Sequence, residues 1–121
     1  MKTLEQIFRA VEEVPDFADC RVDAVHYRNG WGHSPLHIVS VWGDCEAIAL
    51  LVAAGADIDS RGEAGYTALH DAVEQRHELA ARLLLSLGAS QFPDDAGTLP
   101  GELAAMHGRA WVAWVFAEPA P

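Results

Sequence analysis

Histidines and cysteines are the side chains of this sequence best suited to bind a metal or to act in catalysis, and it contains 6 and 2 of them. His33 and His37 lie four residues apart, a spacing that suits two zinc ligands on one helix. Zinc would need two further ligands, and none lies at a recognisable spacing. Cys20 and Cys45 have no neighbouring base and are expected to pack as small apolar side chains. We therefore predict no metal site.

No motif of a known catalytic mechanism is present in the sequence. It contains no G-x-S-x-G nucleophile elbow, no G-x-x-x-x-G-K-[ST] phosphate loop and no H-E-x-x-H zinc motif. We therefore predict that the protein is not an enzyme, that none of its residues is catalytic and that it uses no cofactor.

The excess of acidic over basic residues bears on which class of molecule the protein could bind. The 121 residues include 18 acidic and 8 basic side chains, which gives a net charge of −10. Without a lysine and arginine cluster such a chain is a poor nucleic-acid ligand, whereas a basic protein would be attracted to it. A simpler interpretation is that the charge only keeps the protein soluble. Both interpretations remain open.

Hydropathy and cysteine content give an expected location. No apolar run reaches membrane-spanning length, and the N-terminal segment MKTLEQIFRAVEE has glutamates within an amphipathic pattern, unlike a signal peptide. Nothing about the two cysteines demands an oxidising compartment. We expect a soluble cytoplasmic protein with no membrane partner.

The elements that must position these side chains are repeated along the chain. The segment from Gly32 to Ala89 aligns with itself at a constant offset of 33 residues, and a fixed period of this size indicates a solenoid. The matching pairs are Gly32 and Gly65, Leu36 and Leu69, His37 and His70, Leu50 and Leu83, Leu51 and Leu84, Gly55 and Gly88, and Ala56 and Ala89.

The segments S-P-L-H and T-A-L-H, each followed by G-A-D or G-A-S, resemble the ankyrin repeat. The resemblance implies an all-α solenoid of helix–turn–helix repeats with β-turn fingers. It also implies that the imidazoles of His37 and His70 hydrogen-bond backbone in the neighbouring finger. A weaker third repeat places Pro100 at the position of Pro35 and Glu102 at the position of His37.

We assign the whole chain, 1–121, to one ankyrin-repeat domain. Its parts are a degenerate N-terminal capping repeat (1–28), two clear repeats (29–61 and 62–94), a divergent partial repeat (95–117) and a tail (118–121).

Capping residues and apolar stripes predict the helices of each repeat. We expect Thr3, Ser34, Asp44 and Thr67 to begin helices, and Gly43, Gly55 and Gly88 to end them. The residues predicted to face the core include Leu4, Ile7, Phe8, Val11, Leu36, Val39, Ala47, Ile48, Leu50, Leu51, Leu69, Ala72, Val73, Ala80, Leu83, Leu84 and Leu87.

The resemblance further implies that partners bind the finger tips and the exposed face of the first helix of each repeat. The residues at these positions are Arg28, Trp31, His33, Val41, Trp42, Arg61, Glu63, Tyr66, Asp71, Glu74, Gln75, Asp95, Thr98, Met106 and His107. Trp31, Trp42 and Tyr66 would share one concave surface with acidic neighbours, which is typical of a binding hot spot. Alternatively, Trp31 and Trp42 fold down onto neighbouring repeats.

The last helix is expected to leave Trp111 and Trp114 on the side where a terminal repeat should be polar. Either the tail folds back over them or they contact another chain.

Two functions are consistent with these features of the sequence. The first is a non-catalytic protein-binding module, for which we consider an inhibitor or immunity-type role that neutralises a basic partner. The alternative is a regulatory or structural adaptor that self-associates, as a homodimer, through Trp111 and Trp114.

Overall fold

The computed structural model describes residues 2–14, 22, 25, 27–29 and 32–106. Within these ranges the chain forms α-helices and one short 3-10 helix, and no strand occurs in them, so the predicted all-α fold is confirmed. The α-helices are α1 (Leu4–Glu12), α2 (Pro35–Trp42), α3 (Cys45–Ala53), α4 (Ala68–Glu74), α5 (Glu78–Ser86) and α6 (Pro100–Ala105), and the 3-10 helix is Glu63–Gly65.

The helices stack in two layers. Helix α2 packs against α4, and α4 packs against α6, so the first helices of successive repeats form one layer. Helices α3 and α5 pack together as the second layer, and each also contacts the first helix of its own repeat. Helix α1 contacts both α2 and α3, so it covers the core at the N-terminal end of the stack.

Side-chain caps explain where the helices begin. The Thr3 hydroxyl accepts the Gln6 N–H at 3.2 Å, and the Gln6 side chain accepts the Thr3 N–H at 2.9 Å, a reciprocal capping box. The Asp44 carboxylate accepts the Ala47 N–H at 3.1 Å and begins α3. Gly43 ends α2 with a φ of 70°, a left-handed conformation that glycine adopts without steric cost.

The apolar stripes of both layers meet in one core. Its large members with almost no exposed surface are Val11, Val22, Leu36, Val39, Ile48, Leu51, Leu69, Val73 and Leu84. Each such side chain stabilises the fold by about 1.5–3 kcal/mol. One predicted core position is wrong. Leu87 is 38% exposed, because α5 ends at Ser86 and leaves Leu87 at the C-cap, beyond the buried turns.

The fingers between repeats are tight turns that share one hydrogen-bond pattern. In each finger, the N–H of the first residue donates to the carbonyl four residues later, and a glycine between them has positive φ. The three closing bonds are Asn29 to His33 at 3.0 Å, Gly62 to Tyr66 at 2.8 Å and Asp94 to Thr98 at 2.9 Å. The glycines are Gly32, Gly65 and Gly97, with φ of 84°, 75° and 83°.

Replacing Gly65 with alanine should destabilise the protein more than the same change at Gly97. Both positions have similar φ, so each alanine costs about 1 kcal/mol of left-handed strain. A Cβ at Gly65 would also lie 2.5 Å from Asp95 Oδ1 and 2.7 Å from Asp95 N, whereas a Cβ at Gly97 meets nothing within 4 Å. We expect losses of about 2–3 and about 1 kcal/mol in urea unfolding. Equal losses of unfolding free energy in the two variants would show that the close contact between Gly65 and Asp95 has no steric effect on stability.

Candidate protein-binding surface

His37 connects the first clear repeat to the next finger. Its imidazole is buried, and its Nδ1 accepts the Ser34 N–H at 3.1 Å. The proton therefore resides on Nε2, which donates to the carbonyl oxygens of Ser60 at 3.0 Å and Tyr66 at 3.1 Å. Burial lowers the pKa of His37 to about 4, against the opposing effect of the Tyr66 hydrogen bond. The ring is thus neutral at physiological pH. It links the start of α2 to the next finger by hydrogen bonds, as the resemblance implied, and we call this link the histidine bracket.

His70 repeats this arrangement one repeat later. Its Nδ1 accepts the Thr67 N–H at 3.2 Å, and its Nε2 donates to the Thr98 carbonyl at 2.9 Å. In the third repeat Glu102 replaces the histidine. Its carboxylate accepts the Leu99 N–H at 3.0 Å, so Glu102 caps the start of α6 as the histidines cap α2 and α4.

Two arginines at equivalent positions tie consecutive fingers together. The Arg28 guanidinium donates to the Arg61 carbonyl, and the Arg61 guanidinium donates to the Pro93 carbonyl. Arg28 also donates from Nε to the Gly32 carbonyl at 3.0 Å. Both side chains were predicted to contact a partner. In the structure both residues are exposed but their charged groups bond to finger backbone, which gives them a structural role.

A pocket of about 260 Å³ opens beside α2 and α4, and we call it the first-helix pocket. Its lining residues are Val14, His33, His37, Ile38, Val41, Trp42 and Asp71. Trp42, at the end of α2, is 42% exposed. Trp42 also borders a second pocket of about 310 Å³ between α1 and α2. The structure therefore brings the predicted residues His33, Val41, Trp42 and Asp71 together at one place.

Asp71 is the unusual polar group of this pocket. The residue is half-buried: protein atoms crowd its carboxyl group, and part of its surface stays accessible. That burial, with the nearby Glu74 charge as a smaller cause, raises the pKa of Asp71 well above its usual range. Within the described ranges, no hydrogen bond or ion pair reaches this carboxyl group. A half-buried carboxyl group with a raised pKa and no partner in the described ranges is a candidate for contact with a bound molecule.

Tyr66 is less available than the sequence suggested. It is half-buried, and its ring stacks on His70 with the centroids 5.0 Å apart. Burial raises its pKa, and the nearby charge of the Glu74 carboxylate contributes in the same direction. Tyr66 therefore joins the finger to α4, and only part of its surface remains for a partner.

The remaining predicted contact residues lie along the same layer of helices and fingers. Glu63, Glu74, Gln75, Asp95 and Met106 are exposed, and Met106 reaches 75%. Thr98 is half-buried, and its N–H donates to Asp94 Oδ1 at 2.9 Å. The predictions for Trp31, His107, Trp111 and Trp114 fall outside the described residues.

Sequence reasoning missed His77. Its Nε2 lies 2.8 Å from the Val41 carbonyl, and its ring covers Gly43, where an added Cβ would lie 2.5 Å from Cγ. A signal was available, because His77 stands 33 residues after Asp44 and so occupies the same helix-capping position.

Neither a metal site nor a reactive thiol is found in the parts of the chain that the structure describes. No group of three or more His, Cys, Asp or Glu side chains in those parts could hold a metal. Cys45 is a free thiol packed against the core, and burial raises its pKa, with a smaller effect of Asp44. Every helix seen in those parts is too short to span a bilayer.

Known proteins share the repeat pattern. The family described as ankyrin repeats (3 copies) matches residues 7–95 and 36–118. Protein phosphatase 1 regulatory subunit 27 of Homo sapiens is 38% identical over 94 residues, covering 77% of this chain and 61% of that protein. SH3 and multiple ankyrin repeat domains protein 2 of Homo sapiens is 35% identical over 94 residues, covering 76% of this chain and 5% of that protein. Nuclear factor NF-kappa-B p105 subunit of Gallus gallus is 37% identical over 83 residues, covering 66% of this chain and 8% of that protein. The chain thus spans about three fifths of the first of these relatives and a small part of the other two.

Proposed function

This chain belongs to the ankyrin-repeat family, whose members are protein-binding modules, and on that premise we propose that it binds a partner protein through the layer formed by the fingers, α2, α4 and α6. We call this layer the first-helix face. In this proposal the protein is a non-catalytic binding module with no cofactor. Fold alone does not name the partner, so the proposal depends on the side chains of that face.

Trp42 is the observation that carries the proposal. A tryptophan with 42% of its surface exposed, at the rim of two pockets, leaves a large apolar area in water. Tryptophans beside pockets are frequent hot spots of interfaces, because binding removes that area from water. The Glu63, Glu74 and Asp95 carboxylates on the same face, in a chain of net charge −10, favour a basic partner.

Two roles fit such a module. A small acidic binding protein could act as an inhibitor or immunity-type protein that neutralises a basic partner. The second candidate is a regulatory adaptor, and it is favoured by the similarity to protein phosphatase 1 regulatory subunit 27. Self-association through Trp111 and Trp114 belongs to this second candidate. A cytoplasmic location is part of both proposals.

Affinity capture from native cell extract, with quantitative mass spectrometry, tests the binding face. Wild-type protein is compared with Trp42→Ala, Glu74→Lys and Glu78→Lys. Glu74 ends α4 on the first-helix face, whereas Glu78 begins α5 in the other layer, so the two lysine variants are matched in charge. We expect Trp42→Ala and Glu74→Lys to reduce capture of the specific partner at least tenfold, since hot-spot losses are about 2 kcal/mol or more. Glu78→Lys should retain it.

Loss of capture in Glu78→Lys alone would place the binding site on the second layer and refute the proposal. Light scattering of the free protein, with and without Trp111→Ser and Trp114→Ser, tests the adaptor alternative. A dimer that persists in high salt and is lost in the double variant would support it, and a monomer in both would exclude self-association.

A further inference from the structure

We infer that the first-helix pocket receives a lysine or arginine side chain of the bound partner, with Asp71 as its ion-pair acceptor. The inference rests on the proposed function, because it names what the first-helix face recognises. It commits to a cationic side chain over an apolar or an anionic one.

The lining of the pocket suits a long basic side chain. Val14, Ile38, Val41 and Trp42 provide apolar surface, and Asp71 provides a carboxylate in the same pocket of about 260 Å³. Lysine and arginine pack their methylene stems against apolar surface and keep only the end group charged. The exposed indole of Trp42 adds a site for cation–π contact. An aliphatic guest would leave the carboxyl group without a partner, and an anion would be repelled by it.

No group in the described ranges stabilises the ionised carboxylate of Asp71 against the cost of its partial burial. Its carboxyl group is half-buried, Glu74 adds a like charge, and within the described ranges nothing donates to it. The resulting rise in its pKa shows that the ionised form is unfavourable in the free protein. A cation brought by a partner would stabilise the ionised form, so binding gains an interaction that the free protein cannot make.

None of the basic groups that the structure describes near this pocket supplies that cation. His37 lines the pocket but is neutral, because burial lowers its pKa to about 4. The guanidinium groups of Arg28 and Arg61 donate to finger carbonyls. For His33, the other lining histidine, the ring Nε2 lies 4.0 Å from the Glu63 carboxylate, so its imidazole is directed towards Glu63.

Small cations can test the pocket without knowledge of the partner. The full chain is titrated at pH 7.5 with n-butylammonium and n-propylguanidinium chloride, and binding is followed by ¹H–¹⁵N NMR. n-Butanol serves as the neutral probe. We expect the cations to shift the amides of Ile38, Val41 and Asp71 and the Trp42 indole, with dissociation constants on the order of 10 mM. The tighter of the two cations identifies lysine or arginine as the preferred guest.

Two variants separate the pocket from the general charge of the protein. Asp71→Asn should weaken cation binding at least about tenfold, since among the described lining residues Asp71 alone carries a carboxylate. Glu78→Gln removes one exposed charge from the second layer, away from the pocket, and should change binding less than about twofold, because screened surface charges contribute little. Asp71→Asn is expected to melt at a higher temperature than wild type, so a loss of binding would not reflect misfolding.

Several outcomes would overturn the inference. These are equal shifts with n-butanol, cation binding that Asp71→Asn retains, or no binding of either cation at about 100 mM, roughly ten times the expected constant. If Trp42→Ala and Glu74→Lys still abolish partner capture, only the pocket inference fails. If the cations bind but capture does not depend on this face, the proposed function fails and the pocket remains a cation site.

Discussion

Replacing His37 with alanine should cost about 3–5 kcal/mol of unfolding free energy, the largest loss that we expect from a single substitution in this protein. The change removes a ring that is 2% exposed and leaves a cavity in the core. It also removes the hydrogen bonds of the imidazole to the Ser34 N–H and the Ser60 carbonyl, and one of the two hydrogen bonds to the Tyr66 carbonyl. Because domains are stable by only about 5–15 kcal/mol, the variant should be partly unfolded at 37 °C. Circular dichroism in urea measures the loss.

Glu102→Ala is the matched control for this prediction. Glu102 occupies the same position of the third repeat and accepts one capping N–H, but it is exposed and donates to no finger in the described part of the chain. We expect it to cost about 0.5–1 kcal/mol, the usual value of a helix cap. If both substitutions lower the free energy of unfolding equally, His37 acts only as a helix cap, and its hydrogen bonds to the next finger do not contribute to stability.

Acidification should weaken the fold between about pH 6.5 and pH 4, with a contribution from His37 of up to about 3 kcal/mol. The folded-state pKa of His37 is about 4, below the usual 6.5 of an unfolded chain. In that window the unfolded chain binds a proton that the folded protein does not, so the stability present above pH 6.5 is lost as the pH falls. Asp71 acts in the opposite direction, because its raised pKa means that the folded protein takes up a proton first.

Comparison with His37→Gln isolates the histidine from these carboxyl groups. Glutamine at the third helical position can accept the Ser34 N–H in a capping box, yet it does not titrate. We expect the variant to be less stable than wild type at pH 7 and to show a flatter profile down to pH 4, as followed by urea unfolding at each pH. A slope identical to that of wild type would assign the acid sensitivity to other groups.

The repeat made most of the fold predictable, because stacking imposes the same requirements on every unit. Thr67 and Asp44 begin helices and Gly43 ends one, as their capping residue types predicted, and His37 and His70 hydrogen-bond the fingers that follow them. The boundaries assigned to the repeats, such as 28/29 and 61/62, stay predictions. Leu87 was misplaced because a periodic stripe does not show where the last turn ends.

The candidate site was predictable only in outline. The sequence placed Trp42 and Asp71 on one face, but the pocket that they share also depends on where Val14 and Ile38 lie. That arrangement joins three separate elements, and no local pattern encodes it. The arginine pair was different. Arg28 and Arg61 stand 33 residues apart, so their structural role could have been inferred from the offset that revealed the histidines.

The backbone bond from the Asp95 N–H to the Ala64 carbonyl runs back towards the preceding finger. The arginine and histidine side-chain bonds to neighbouring fingers, by contrast, all run forward, and their direction limits how the array can be extended. Arg28, Arg61, His37 and His70 all donate towards the finger that follows them in the chain. Each repeat therefore supplies donors to its successor, and removing a later repeat leaves buried donors in the earlier one. Glu102 breaks the series, since an ionised carboxylate can accept a hydrogen bond but cannot donate one. Any further repeat joined after α6 would lack the histidine bracket, so a consensus extension of this protein would first require Glu102→His.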